Sequence, residues 1–402
     1  MHINPLVRRA ICSATGREVD THGWSRPLGL SPHSGKPIVL EYDLERARQE
    51  LSAVRPSARG LLRYEPLLPV RDLPRDYAAD VGGTVTLRHD ALSRDLGVDL
   101  FLKNEGSNPS GSFKDRGLAM GVALGVACGA SRFCLPTQGN AGVAASLFSA
   151  RFGLPGALVY MPEGYQGSLY HRACHFFGAT VRFGGKQIAE AGARMREDVR
   201  GELERGEFVD LSTFFEPGRL EGKKTMGLEI WEFFGAEELP EWIVYPTGGG
   251  TGLVGIWKAF QELSEMGLID SGRHPLPRMV AVQSEQCAPI VRAFEGGLFA
   301  VEAVKSQGTV ADGLDVPAAI MGHQILRVLR ESRGLAIAVS ERAISDAFDD
   351  YGRRGVSAGY ESAAALAGVR ALRQAGTIAE GSRVLVLNTS GPFAALLRDR
   401  GD

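Results

Sequence analysis

Lys114 lies in the segment Asn108-Pro109-Ser110-Gly111-Ser112-Phe113-Lys114-Asp115-Arg116-Gly117. Asn-Pro and Ser-Gly are turn formers, so this spacing puts the lysine in the first turn of a helix predicted over 113–128. A helix N-terminus carries about +0.5 of an elementary charge. That field disfavours an ammonium group and favours anions beside it, and a lysine that sheds its proton is a Schiff-base nucleophile. Taken alone, the same residues also read as a surface lysine paired with Asp115.

A second segment, Thr247-Gly248-Gly249-Gly250-Thr251-Gly252, follows an apolar strand and opens a helix predicted over 253–266. Without Cβ atoms in the way, several backbone N–H groups can converge there, and the helix dipole adds to them. The result is a phosphate cup to which Thr247 and Thr251 can add hydroxyl donors. No Gly-Lys-Ser/Thr follows, which excludes a Walker A loop. Gly250-x-Gly252-x-x-Gly255, with Glu285 after the next strand, also has dinucleotide spacing. A nicotinamide-dependent oxidoreductase is therefore an alternative of a different class.

Two further strand ends carry polar residues. In Thr137-Gln138-Gly139-Asn140, Asn140 can donate to a ring oxygen, and Thr137 and Gln138 can hold a carboxylate at a helix N-terminus. A plain helix cap by Asn140 is the simpler reading. In Asn388-Thr389-Ser390-Gly391, a hydroxyl can face a heteroaromatic nitrogen, or the segment is only a turn.

These turns need a scaffold. Short apolar strands are predicted at 100–103, 133–136, 157–161, 180–183, 242–246, 279–283 and 384–387. Helices are predicted at 141–152, 168–177 and 186–205 in addition to those above. Such alternation defines an α/β protein with open, mostly parallel sheets flanked by helices, in two lobes. Ligands in such sheets sit beyond the carboxyl ends of the strands, which singles out the turns after Lys103, Pro136, Pro246 and Leu387. Residues 1–60 differ, mixing Gly, Pro, Ser and His with one helical stretch near 43–51.

Composition sets the outer bounds. The 402 residues suffice for two domains, and 44% hydrophobic with 23% charged residues is ordinary for a globular chain. A formal net charge of −2 gives no sign of a nucleic-acid or anionic-membrane partner. Five scattered cysteines without a Cys-x-x-Cys pair fit a reducing compartment. Arg8 and Arg9 are followed by no apolar stretch, and no run approaches the about 18 apolar residues of a membrane span. A cytoplasmic protein is expected.

In combination the segments resemble the fold-type II pyridoxal-phosphate enzymes, specifically the threonine synthase group. Residues 110–117 resemble that group's cofactor-lysine motif, 138–141 its ring loop, and 246–258 its phosphate loop and following helix. Arg219 with Glu221-Gly222-Lys223-Lys224-Thr225, the stretch 310–314 and the stretch 63–69 continue the likeness in the same order over roughly residues 60–395. The likeness implies a two-lobed fold of the tryptophan synthase β type. It also implies a large cofactor-binding domain of residues 61–105 plus 218–402, a small domain of 106–217, and an N-terminal extension over 1–60. Lys114 would carry pyridoxal 5'-phosphate covalently and act as the catalytic base. Phe113 would stack near the ring, Asn140 would bond its phenolic oxygen, and Thr389 would face its nitrogen. Gly248, Gly249, Gly250, Thr251 and Gly252 would hold its phosphate. Ser110, Ser112, Thr137, Gln138 and Arg219 would bind substrate, with Arg219 gripping a substrate phosphate. The implied activity is a lyase converting O-phospho-L-homoserine and water to L-threonine and phosphate, in a homodimer.

The sequence also departs from that group. The asparagine expected before Arg219 is missing from Leu211–Gly218, and Glu216 adds a negative charge there. The end of the last strand reads Thr389-Ser390-Gly391-Pro392-Phe393, without the usual histidine and lysine. These changes leave room for a β-replacement or β-elimination enzyme on another amino acid, of the cysteate-synthase or ammonia-lyase kind. The extension resembles a degenerate zinc ribbon, but Cys12, His22 and His33 make a poor tetrahedral set, and no metal is expected.

Overall fold

The computed structural model describes residues 1–53 and 58–398, and residues 54–57 of the N-terminal extension lie outside the description. The chain forms two compact units, one of residues 1–83 and 108–225 and the other of residues 84–107 and 226 onward.

The first unit is built on a four-stranded parallel sheet in the order Thr180–Phe183, Leu158–Met161, Arg132–Pro136, Phe208–Asp210. Its central strands are short apolar runs; Phe133, Cys134, Leu135 and Val159 are fully buried. Parallel pairing demands a crossover after each strand. The helices Asn140–Arg151, Leu169–Phe176 and Ile188–Asp198 supply them. From Arg132–Pro136 the chain moves outward twice, then returns with Phe208–Asp210 to the other side of its starting strand. The switch point of this sheet is thus flanked by the turn after Pro136 and the loop after Asp210, where α/β sheets take ligands.

The same unit holds an antiparallel three-stranded sheet of Glu18–Val19, Val7–Cys12 and Ile38–Tyr42, closed over Ala10, Cys12, Leu28 and Leu40. These strands were not legible in the Gly- and Ser-rich extension. Cys12 Sγ lies 3.0 Å from Ser34 Oγ, His33 Nε2 lies 2.8 Å from the Glu18 carbonyl, and His22 pairs with Asp20. The helix predicted over 186–205 is two helices, Ile188–Asp198 and Arg200–Glu204, broken at Val199 (φ −118°, ψ 22°). Helix-compatible composition on both sides hid the break; Val199 closes the first helix through its N–H to Met195 O.

The second unit is a six-stranded sheet in the order Leu335–Val339, Arg278–Ser284, Trp242–Pro246, Arg383–Asn388, Asp99–Asn104, Thr86–Arg88. All pairs are parallel except the last, an antiparallel edge. Val244, Val280, Val282, Val384 and Val386 bury their side chains, as expected of strands covered on both faces. The switch point falls between Trp242–Pro246 and Arg383–Asn388, so Thr247–Gly252 and Thr389–Ser390 leave the two strands that border it. No helix among the described residues is long and apolar enough to cross a membrane.

Candidate active site

In the first unit Lys114 is the first residue of the helix Lys114–Ala127 and is partly buried. The turn ahead of it is fixed from within. Asn108 Oδ1 accepts from Gly82 N at 2.9 Å, and Gly111 turns the chain at φ 84°. Asp115, fully buried, accepts from the Ser110 amide at 2.6 Å and from the Ser110 hydroxyl. Burial pushes the Asp115 carboxyl up to about 6, while the Ser110 contacts and the charge of Lys223 pull it back. Ser112 Oγ accepts from the Lys114 amide at 3.3 Å. In this arrangement the hydroxyls of Ser110 and Ser112, assigned to substrate by resemblance, brace the lysine loop.

The Phe113 ring lies beside the lysine, with Lys114 Nζ 4.0 Å from its centroid. A second lysine, Lys223, is fully buried and stands 3.1 Å from the same centroid, donating to Phe113 O at 2.8 Å. Its place beside Phe113 was not legible; the sequence showed it only as one letter of a matching motif.

At the switch point of this sheet, Thr137 is buried. Its hydroxyl accepts from Gly139 N at 3.0 Å and Gly142 N at 3.2 Å, which shapes the loop. Gly139 lies so close to the Tyr170 ring that a Cβ would stand 3.0 Å from it. Gln138 and Asn140 are half-buried, and Asn140 opens its helix. On the other side of the switch point Arg219, 2% exposed, donates through Nη1 to Leu211 O. Its amide donates to Glu216 Oε1 at 2.9 Å. Burial raises Glu216 to about 7 against the pull of Arg219, and burial lowers Arg219. Among the described residues neither Arg219 Nε nor Glu216 Oε2 has a hydrogen-bond partner.

In the second unit the glycine loop is a cradle with no room for side chains. A Cβ on Gly248 would overlap the Gly313 carbonyl, and one on Gly252 would overlap the Tyr245 hydroxyl. Gly250 takes φ 78° and immediately precedes the helix Thr251–Glu265, with no side chain capping that end. Thr247 is pinned by its own hydroxyl to Tyr245 O at 2.9 Å, by its amide to Val282 O, and through its carbonyl by Gln283 Nε2. Such a turn offers backbone N–H groups and the positive end of a dipole, which suits a phosphate. Thr389, 3% exposed, is held by its amide to Ser362 Oγ at 3.0 Å, and Ser362 also bonds Asn388 Oδ1 at 2.7 Å.

A lysine opening a helix in the first unit and a glycine turn free of side chains at the switch point of the second are each expected of an enzyme that takes a phosphorylated aldehyde. The chain belongs to the family described as pyridoxal-phosphate dependent enzymes, which it matches over residues 78–390. Its cofactor is pyridoxal phosphate, and the dinucleotide reading of the glycine loop falls with this assignment. Its relatives include the threonine synthase of Methanosarcina acetivorans, 31% identical over 87% of this chain and 83% of that protein. The threonine synthase of Methanocaldococcus jannaschii is 30% identical over 88% and 86%. Among solved structures, threonine deaminase isoform 2 from Solanum lycopersicum superposes with a TM-score of 0.67 at 17% identity, covering 100% of this chain and 97% of that one. Maize serine racemase gives 0.63 at 19%, covering 77% and 89%. These last two likenesses are of fold, and they support the fold-type II architecture.

Proposed function

We propose that this enzyme is a lyase of the threonine synthase type, converting O-phospho-L-homoserine and water to L-threonine and phosphate. The observation that carries the reading is Arg219: a buried guanidinium at a sheet switch point whose Nε has no partner among the described residues. An unsatisfied buried donor is costly, and an anionic substrate group would satisfy it. The threonine synthase relatives at about 30% identity support the same substrate class.

In this reading Lys114 would hold the cofactor, and by resemblance the Gly248–Gly252 turn would take its phosphate, Asn140 and Thr389 would orient its ring, and Phe113 would lie beside it. Bound pyridoxal phosphate supplies an electron sink for charge developing at the amino acid's Cα. Lys114, with its amine free, would take the proton from Cα, and its anchoring at the helix start would limit its reach. Arg219 would hold the substrate phosphate while Lys114 takes a proton from Cβ and the Cγ–O bond breaks. Lys114 would then return protons to Cγ and Cα as water adds its hydroxyl at Cβ. Thr137 and Gln138 lie at a helix start suited to the substrate carboxylate. We also read the protein as a cytoplasmic homodimer; sedimentation of the holoprotein and cell fractionation test this.

The test is phosphate release and threonine formation from O-phosphohomoserine by the purified yellow enzyme. Absence of both products from a cofactor-loaded protein overturns the reading. Glu216 favours a second: a carboxyl group beside Arg219 disfavours a doubly charged phosphate, which suits elimination or β-replacement on another amino acid. Pyruvate, ammonia or a substituted product from serine or diaminopropionate, in preference to phosphoserine, would support it.

A further inference from the structure

We propose that Lys223 is a positioning residue for the cofactor lysine: its ammonium group, fixed beside Phe113, biases the Lys114 nitrogen toward the unprotonated form that attacks and accepts protons. The inference rests on the assignment of Lys114 as the cofactor lysine and deepens it.

The placement follows from an unusually close helix crossing inside the first unit. Gly117 and Gly121 on the Lys114 helix meet Gly218 and Gly222 on the helix Gly218–Phe234. A Cβ on Gly222 would overlap the Arg116 carbonyl, and one on Gly117 would stand 3.1 Å from Lys223 Cε. Four glycines let the backbones approach until Lys223 runs along the Lys114 helix and delivers its amine to the Phe113 carbonyl. With Lys114 Nζ 4.0 Å and Lys223 Nζ 3.1 Å from one ring centroid, the two nitrogens are at most about 7 Å apart. Like charges at this range disfavour each other's protonation. Lys223 is fully buried while Lys114 is only partly so. Burial disfavours the Lys223 cation, but the Phe113 carbonyl, the ring face and the nearby Asp115 carboxylate hold it charged, so the bias falls on Lys114.

Other charged groups lie around the pair. Glu221 is engaged by Lys224 at 2.7 Å and by the Tyr42 hydroxyl at 3.1 Å. Glu216 faces Arg219. Arg116 is a further buried cation, donating to Thr225 Oγ1 at 2.9 Å. Arg151, from the Asn140–Arg151 helix, is held by Asp80. Asp115 is the carboxylate that feels Lys223; Ser110 holds both its oxygens and favours its charged form, so loss of the Lys223 ammonium would leave Asp115 to favour protonation of Lys114.

The test follows the visible absorption of the holoprotein against pH in wild type, K223Q, K223M and K223R. K223Q keeps a donor for the Phe113 carbonyl and loses the charge, so it guards against a K223M protein that folds poorly. The expected result is a midpoint for protonation of the cofactor–lysine linkage raised by about one pH unit or more in K223Q and K223M, a tenfold change in proton affinity, and restored by K223R. A midpoint unchanged in K223Q, with the absorption band intact, overturns the role of Lys223 and leaves Lys114 standing. Borohydride reduction with peptide mapping separates the failures: a label absent from Lys114 overturns both assignments.

Discussion

The backbone amide of Arg219 donates to Glu216 Oε1 across 2.9 Å, placing a buried carboxyl group and a buried guanidinium together at the start of the helix Gly218–Phe234. The pair has consequences for stability and for substrate.

Glu216 rises from an ordinary 4.5 to about 7 because burial penalises its charged form. Between those values the folded protein retains a proton that the unfolded chain has released, so stability falls as pH rises through this window. E216Q removes the titration. Denaturation at pH 5 and pH 8 should show the wild type losing more stability than E216Q, by at most about 3 kcal/mol. Asp115, raised to about 6, adds a loss of the same sign that is common to both proteins. Parallel behaviour of the two proteins would mean Glu216 is ionised throughout.

R219K keeps the charge and loses the planar fork that matches a phosphate. A fall of about tenfold or more in kcat/KM for O-phosphohomoserine is expected, with cofactor absorption unchanged. Loss of the bound cofactor itself would place Arg219 at the cofactor instead.

G248A forces a methyl group onto the Gly313 carbonyl, and the buried turn has nowhere to yield. Overpacking costs about 1–3 kcal/mol. The expected outcome is a fall of about tenfold in pyridoxal phosphate affinity, read by fluorescence titration of the apoprotein. Unchanged affinity would remove this turn from the phosphate site.

Glycines elsewhere should behave in opposite ways. G222A drives a Cβ into the Arg116 carbonyl and should destabilise the protein by about 1–3 kcal/mol in thermal or chemical melts. Gly352 sits exposed in the helix Glu341–Arg353, and a methyl group added there would meet nothing within 4 Å. G352A should stabilise by about 0.4–1 kcal/mol through lost freedom in the unfolded chain.

The chemistry-bearing turns were legible because each combines two local signals, an apolar strand and a Gly-, Ser- or Asn-rich exit into a helix. Local signals fix local structure: the strands at Trp242–Pro246 and Arg383–Asn388 and the helix starting at Lys114 follow from side-chain character along a few residues. The break at Val199 and the antiparallel strands of the first 42 residues escaped notice because neither has a distinctive periodicity.

The sequence by itself therefore determined the alternation of elements, the lysine at a helix start, the glycine cup and the family likeness. Tertiary structure alone decided that Lys223 shares the Phe113 ring with Lys114, since that contact joins residues 110 apart through a glycine-lined helix crossing. It alone decided that Ser110 and Ser112 brace the loop, and that Glu216 and Arg219 are buried side by side. Proton affinities and hydrogen-bond partners depend on which distant groups exclude water and lend charge, and no window of neighbouring residues contains that information.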